Sequence, residues 1–243
     1  MSRRKKKSTE LSPLQRDALK RIEESKAEFI IGIDEVGMGC WAGPMAVAGV
    51  VVPKGWTHPD VTDSKEFKQK RVKMLRVLLE AVYPNVLDKC LLSRHAPLLD
   101  EYGLEESQRH LTEGVAIMLR RKYPGALVVQ DGSPVPIDGS MRRVIALPKA
   151  DLHVKAVGAA SILAKVSRDQ YMIQQSEEYP GYGFETNVGY HSLTHKQALR
   201  EQGPTPLHRR SFKPVQEIIR DRLFGEQNPP TRLTVPFAEL VNS

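Results

Sequence analysis

The stretch GIDEVGMGCWAGPMAVAGVVVP, residues 32–53, sets two apolar runs on either side of a turn that carries three glycines. EFIIGI, ending at Ile33, and MAVAGVVV, starting at Met45, have the length and β-branched content of strands. Gly37, Gly39 and Ala42 follow one another as G-x-G-x-x-A, the spacing of a dinucleotide-binding loop. Such a loop leads into a helix whose first N–H groups face a pyrophosphate. Here Pro44 leads into a second strand, Asp34 and Glu35 would repel a pyrophosphate, and Lys54 rather than an acid follows that strand. The dinucleotide reading is therefore disfavoured, and the turn reads as the link of a strand pair.

Asp34 and Glu35 then become candidates in their own right. Adjacent side chains on a strand point to opposite faces, so the two converge only if the strand ends and bends there, as the following glycines permit. Neighbouring carboxylates raise each other's pKa unless a cation compensates them, and Mg²⁺ or Mn²⁺ is a hard ion suited to oxygen donors. An acidic pair on a solvated turn is the plainer alternative. Asp131 follows the apolar run ALVVQ and precedes Gly132, again an acid at a strand end before a flexible residue. Asp151 stands before an Ala-rich helical stretch, where a helix-capping charge is the plainer role. Asp138, also followed by glycine, competes with Asp131. Four acids around one sheet edge can hold two metal ions, one orienting an attacking water and the other stabilising the leaving oxygen of a phosphodiester.

Outward from this centre, VLDKCLLS and ALVVQ read as further strands. Lys68–Val82 reads as a helix whose buried stripe is Val72, Leu75, Leu78, Leu79 and Val82. Leu104, Leu111, Val115, Met118 and Leu119 mark a second helix, and Val154–Gln175 a third. Ser192 caps LTHKQALREQ before Gly203, and Pro214 opens a last helix. Strands that first pair and then alternate with helices predict an α/β domain with a mixed sheet.

Of 243 residues, 36 are Lys or Arg and 29 Asp or Glu, a formal charge of +7. Arg3, Arg4, Lys5, Lys6 and Lys7 carry five of those charges, leaving +2 for the remainder. Residues 1–10 thus read as a basic flexible leader, and residues 225–243, with their prolines and no sustained period, as a loosely docked extension. No apolar run is long enough for a membrane span or a secretory signal, and the two cysteines lack metal or redox spacing. These features predict a soluble, cytoplasmic protein, with nothing to indicate an oligomer rather than a monomer.

Several longer motifs carry a family resemblance. GIDEVGMGCWAGPMAVAGVVVP, TDSK from Thr62, DGSPVP from Asp131, KADLHVKAVGAASILAKVSRD from Lys149, and YPGYGFETNVGYHSLTHKQALREQGPTPLHRRSF from Tyr179 resemble ribonuclease HII, the type 2 ribonuclease H. The resemblance runs in order over residues 28–223, which it marks as one catalytic domain. It implies a ribonuclease H-like fold: a five-stranded mixed sheet flanked by helices, with a helical C-terminal part. It also implies an endonuclease that uses two Mg²⁺ or Mn²⁺ ions to cut the RNA strand of an RNA–DNA hybrid, leaving 3′-hydroxyl and 5′-phosphate ends. Cleavage at single ribonucleotides in a DNA duplex is implied as well. The family's metal-binding acids fall on Asp34, Glu35, Asp131 and Asp151, with Asp34 bridging both ions. A nucleic-acid binding protein with the same fold and lost turnover is the competing class, and the presence of all four acids argues against it.

By the same resemblance, Tyr190 packs against the sugar at the junction, Ser64 and Lys65 lie near the nucleic-acid backbone, and Ser161 and Lys165 contact phosphate. Gly37 and Gly39 match glycines whose main chain reaches the 2′-hydroxyl. Between them the family usually has arginine, and this chain has Met38, which has no guanidinium to hold a phosphate. Hydrolysis of longer hybrids is expected to survive this change and junction discrimination to weaken. His191 and His195 have helical metal-pair spacing with no third ligand, and are expected to be solvated or capping residues. His208 is expected in local structure or a backbone contact, and Trp41 and Trp56 in packing.

Overall fold

A computed structural model of the chain describes residues 10–61, 71–132 and 143–224. Ser64, Lys65, Asp138, the leader through residue 9 and the extension from residue 225 lie outside the described residues. The rest falls into two compact units, one containing residues up to Met38 and Pro44–Tyr171, the other Gly39–Gly43 and the residues from Met172 onward.

The first unit holds strands β1 (Phe29–Val36), β2 (Met45–Pro53), β3 (Asp88–Arg94), β4 (Leu127–Asp131) and β5 (Val144–Leu147). They form one five-stranded sheet in the order β3-β2-β1-β4-β5. β1–β2 and β2–β3 pair antiparallel, β1–β4 and β4–β5 parallel. The sheet is thus mixed, as expected, but β1 does not end at its acids. Its ladder with β2 continues through Asp34↔Ala48 and Glu35↔Val47 to Val36↔Ala46, so the backbone groups there keep sheet partners. Only the parallel ladder with β4 stops, at Ile33↔Gln130.

Around the sheet lie α1 (Pro13–Glu24), α2 (Arg71–Val77) continued by a π turn at Leu78–Val82, α3 (Ala96–Tyr102), α4 (Leu104–Lys122), α5 (Ala150–His153) and α6 (Lys155–Glu178). Strand alternation sorts the core into two layers. Ile30, Ala48, Val50 and Val129 pack with Ala18 of α1, Met74 and Val77 of α2, and Ala156, Val157 and Ala160 of α6. Ile31, Ile33, Val47 and Val51 pack on the other face with Leu99 of α3 and Leu111, Val115 and Leu119 of α4. Gly32 is required where α6 meets β1, because a Cβ there would stand 2.2 Å from the backbone carbon of Ala156.

The α2 stripe differs from expectation. Val72 is 83% and Leu79 52% exposed, and the buried set is Met74, Val77, Leu78, Ala81 and Val82. These buried positions keep helical spacings of three and four residues, and they run straight through the π turn at Leu78–Val82; the stripe is turned relative to the one read through Val72 and Leu79. Met118 of α4, also expected in a stripe, is exposed.

The second unit contains α7 (Phe184–Asn187), α8 (Leu193–Gln202) and α9 (Lys213–Phe224). Ser192 Oγ accepts from the His195 amide and Gly203 closes α8, as predicted. Leu199, Val215, Ile218 and Ile219 form a core cluster on which Trp41 and Phe212 pack. Among the described residues, no helix is long and apolar enough to cross a membrane.

Candidate active site

Ile33↔Gln130 is the last pair of the β1–β4 ladder, so Asp34 and Asp131 are the next residues in register on adjacent strands. Residues in register on parallel strands face the same side of the sheet, here the side of Gly32 and α6. Asp131 Oδ1 accepts from the amide of Ala150 at 2.6 Å, which ties β4 to the start of α5. The left-handed backbone of Lys149 makes the tight turn into that helix, and Asp151, its second residue, is only 2% exposed. Glu35, one residue past Asp34, is sent by strand alternation toward the opposite face and is half-buried.

The structure therefore brings the four predicted acids into one electrostatic neighbourhood. Asp34 is 6% exposed. Burial, then the charge of Glu35, and to a lesser degree those of Asp131 and Asp151, push its carboxyl well above the usual range. A hydrogen bond from Ser161 opposes the rise. Among the described residues, no group of three or more His, Cys, Asp or Glu side chains is gathered to hold a metal ion. Asp34 Oδ1 accepts from the Glu35 amide at 2.9 Å, and Asp131 Oδ1 is held by Ala150. In donor type and charge the set fits a hard divalent cation, because four carboxylate groups supply only oxygen and the charged form of Asp34 is destabilised by burial and by its neighbours.

One face of α6 serves these acids. Ser161, expected to contact phosphate, is 4% exposed and hydrogen-bonds Asp34. One turn on, Lys165 Nζ lies 2.8 Å from Asp169 Oδ1, and Arg71 Nε lies 3.4 Å from Asp169 Oδ2. Arg168 is buried and donates from Nε to Pro44 O at 2.8 Å. A Cβ on Gly37, whose φ is +89°, would stand 2.5 Å from that same Nε. Gly37 is thus fixed both by its backbone angle and by Arg168. Met38 packs partly buried against the Ile31–Ile33 layer. Arg168 and Asp169 carry no expectation from the sequence; their signal is the spacing of seven and eight residues from Ser161, which places all three on one helical face.

In the second unit, Gly39 has open space where a side chain would be. The amides of Trp41 and Ala42 both donate to Gly189 O, at 2.9 and 3.2 Å. Tyr190 follows, 36% exposed. His191 is exposed, as expected, but His195 is fully buried and is no solvated residue. Burial of the ring between Trp41, Tyr182 and Phe184 explains the difference.

A family model described as Ribonuclease HII matches residues 31–215. The chain is 37% identical over 196 residues to the ribonuclease HII of Levilactobacillus brevis, covering 80% of this chain and 73% of the relative. It is 37% identical over 198 residues to that of Paracoccus denitrificans, covering 80% and 90%. The crystal structure of ribonuclease H2 from Pyrococcus horikoshii OT3 superposes with a TM-score of 0.62 at 22% identity, covering 81% of this chain and 99% of that one. The ribonuclease H-like fold expected from the sequence is therefore the fold observed, and by the family match and the identity to these relatives the chain belongs to the ribonuclease HII family.

Proposed function

We propose that this ribonuclease H cuts the RNA strand of RNA–DNA hybrids in a reaction that depends on divalent metal and leaves 3′-hydroxyl and 5′-phosphate ends. The observation that carries the reading is the buried Asp34 carboxyl, next in register to Asp131 where the β1–β4 ladder stops, with Glu35, Asp131 and Asp151 all acting on it. Asp34, Glu35, Asp131 and Asp151 would hold two Mg²⁺ or Mn²⁺ ions, which when bound supply activation of the attacking water and stabilisation of the leaving oxygen. Asp34 and Asp131, each held through Oδ1 by a backbone amide, would be presented to the ions in fixed positions. Ser161 orients Asp34 through their hydrogen bond. Lys165, steadied by Asp169, guides the flanking phosphates without reading sequence. Gly37 and Gly39 let the main chain approach the sugar edge, Tyr190 packs on the sugar, and Ser64 and Lys65 are assigned to the nucleic-acid backbone by the family resemblance alone.

The test is cleavage of an end-labelled RNA–DNA hybrid, and of a DNA duplex with one ribonucleotide, with Mg²⁺, with Mn²⁺ and with EDTA. Metal-dependent cuts bearing 3′-hydroxyl ends are expected; no cleavage of either substrate would sink the reading. A finer expectation concerns Met38, whose thioether packs on apolar neighbours where the family usually has a guanidinium. Met38→Arg is expected to favour the single-ribonucleotide duplex over the long hybrid by about tenfold, the order of one charge-assisted hydrogen bond. Unchanged kcat/KM ratios for the two substrates would refute that role.

A further inference from the structure

The second unit contains a buried imidazole pair that the metal chemistry leaves unused. His195 Nε2 and His208 Nε2 are 3.0 Å apart, and the residues are 0% and 2% exposed. One backbone amide fixes the protons of both rings. Thr205 N–H can only donate, and it points at His208 Nδ1 at 3.0 Å, so that nitrogen bears no proton. Thr205 Oγ1, which accepts from the Leu207 amide, lies 2.9 Å from the same nitrogen and can give it its own proton. A neutral His208 must then carry its proton on Nε2 and donate to His195 Nε2. His195 in turn carries its proton on Nδ1, which lies 2.8 Å from Tyr190 O and donates to it. The chain runs from Thr205 through both rings to the main chain of Tyr190.

The surroundings keep the pair neutral. Trp41, Tyr182 and Phe184 wall the His195 ring, and Tyr182 and Phe184 also face His208. The titratable or charged groups acting on the pair are Tyr182, whose hydroxyl donates to Gly203 O, His191 and Arg210. Burial first, then the neighbouring His195, pushes His208 down to about 3, and burial lowers His195 as well. Main-chain contacts complete the anchor. Ala42 bridges to His208, and Gly189 carries a φ of +84° where a Cβ would stand 2.2 Å from Ala42 O.

We propose that His195 and His208 are positioning residues that hold Tyr190 in place for the nucleic-acid sugar through this single-tautomer relay. The inference rests on the reading of Tyr190 as a substrate-contacting residue. A relay through two aromatic rings has little slack, because each ring is planar and each nitrogen has one direction. Losing the donor at His208 frees His195 to turn and releases the Tyr190 carbonyl.

Two measurements separate the relay from the substrate contact. Imidazole ¹⁵N spectra of the full chain at pH 7 are expected to show the Nδ1–H tautomer for His195 and the Nε2–H tautomer for His208. The reverse assignment for either ring overturns the proposal without touching the activity. Steady-state cleavage of an RNA–DNA hybrid is then compared for Tyr190→Ala, His208→Leu, His208→Gln and the Tyr190→Ala/His208→Leu double variant, each checked for folding by thermal unfolding. His208→Leu is expected to raise KM about tenfold with kcat within about twofold, a misplacement effect. His208→Gln, whose amide can donate in place of Nε2–H, should recover most of that loss. The double variant should be no worse than Tyr190→Ala alone, because the histidine acts only through the tyrosine. Additive losses, or no rescue by Gln in a folded protein, overturn the proposal. If Tyr190→Ala leaves KM unchanged, the substrate contact itself fails and the positioning role falls with it. If the unaltered chain cuts nothing, the activity reading fails while the spectra still decide the relay.

Discussion

Asp34 lies in the sheet interior as a carboxyl that burial and three acids disfavour in its charged form. Its folded pKa therefore lies above the unfolded value near 3.8. Across that interval the folded state binds the extra proton, so stability declines as pH rises from about 3.8 through the folded value. Asp34→Asn removes both the charge and the decline. The variant is expected to be inactive yet to melt higher than the parent at neutral pH in EDTA, by about 2–4 °C for each 1 kcal/mol recovered. Its melting temperature should also vary less with pH, and added Mg²⁺ should raise the parent's value more than the variant's. An equal Mg²⁺ shift in both proteins would count against Asp34 as a ligand. Acids of this kind were readable in the sequence because a charge at the end of an apolar run has no packing explanation. Ser161 and Arg168 were harder, since a serine or arginine inside a helix looks ordinary until the neighbouring strand and turn are placed beside it. His195 was misjudged for the same reason: its burial depends on Trp41, distant in sequence, and on Phe184 across an intervening turn.

At the level of elements, four strands were legible from apolar runs, and β5 was not, because Val144–Leu147 offers only four residues and no alternation to count. Helices α8, with its Ser192 and Gly203 caps, and α9, opened by Pro214, were legible from local signals that do not depend on tertiary contacts. Helix α2 shows the limit of periodicity. Leu78 and Val82 fit two stripes of the same period, one through Val72 and Leu79 and one through Met74 and Ala81, and the period alone does not choose between them. The consequence is measurable. Met74→Ala removes a side chain that is 3% exposed and is expected to cost about 2–5 kcal/mol in urea unfolding. Val72→Ala, at a position 83% exposed, should change stability by no more than about 0.5 kcal/mol. Equal losses from the two would mean that the phase of this helix is wrong.

Over the whole molecule, the sign of the charge and its location point in different directions. The formal +7 suggests a surface that attracts nucleic acid throughout, but five of those charges precede Ser8 and the proposed catalytic centre is acidic. If two divalent ions occupy that centre, the scissile phosphate meets positive charge there without any excess of lysine, and Lys165 needs only to guide the adjoining backbone. On this reading we propose the leader as a separable tether that raises nonspecific affinity. Each phosphate contact contributes about 0.9 to the slope of log affinity against log salt on duplex DNA. A chain lacking residues 1–9 should therefore show a slope shallower by about 1 to 4.5 for an RNA–DNA hybrid, the upper figure corresponding to all five charges engaged. Affinity should fall most at low salt and converge with that of the full chain as salt screens the tether. Cut positions on a labelled hybrid should not move, because the tether neutralises phosphates without reading sugars or bases. An unchanged slope would remove the tether. Shifted cut sites would instead place the leader within the recognition of the substrate, and the separation of affinity from cleavage chemistry would no longer hold.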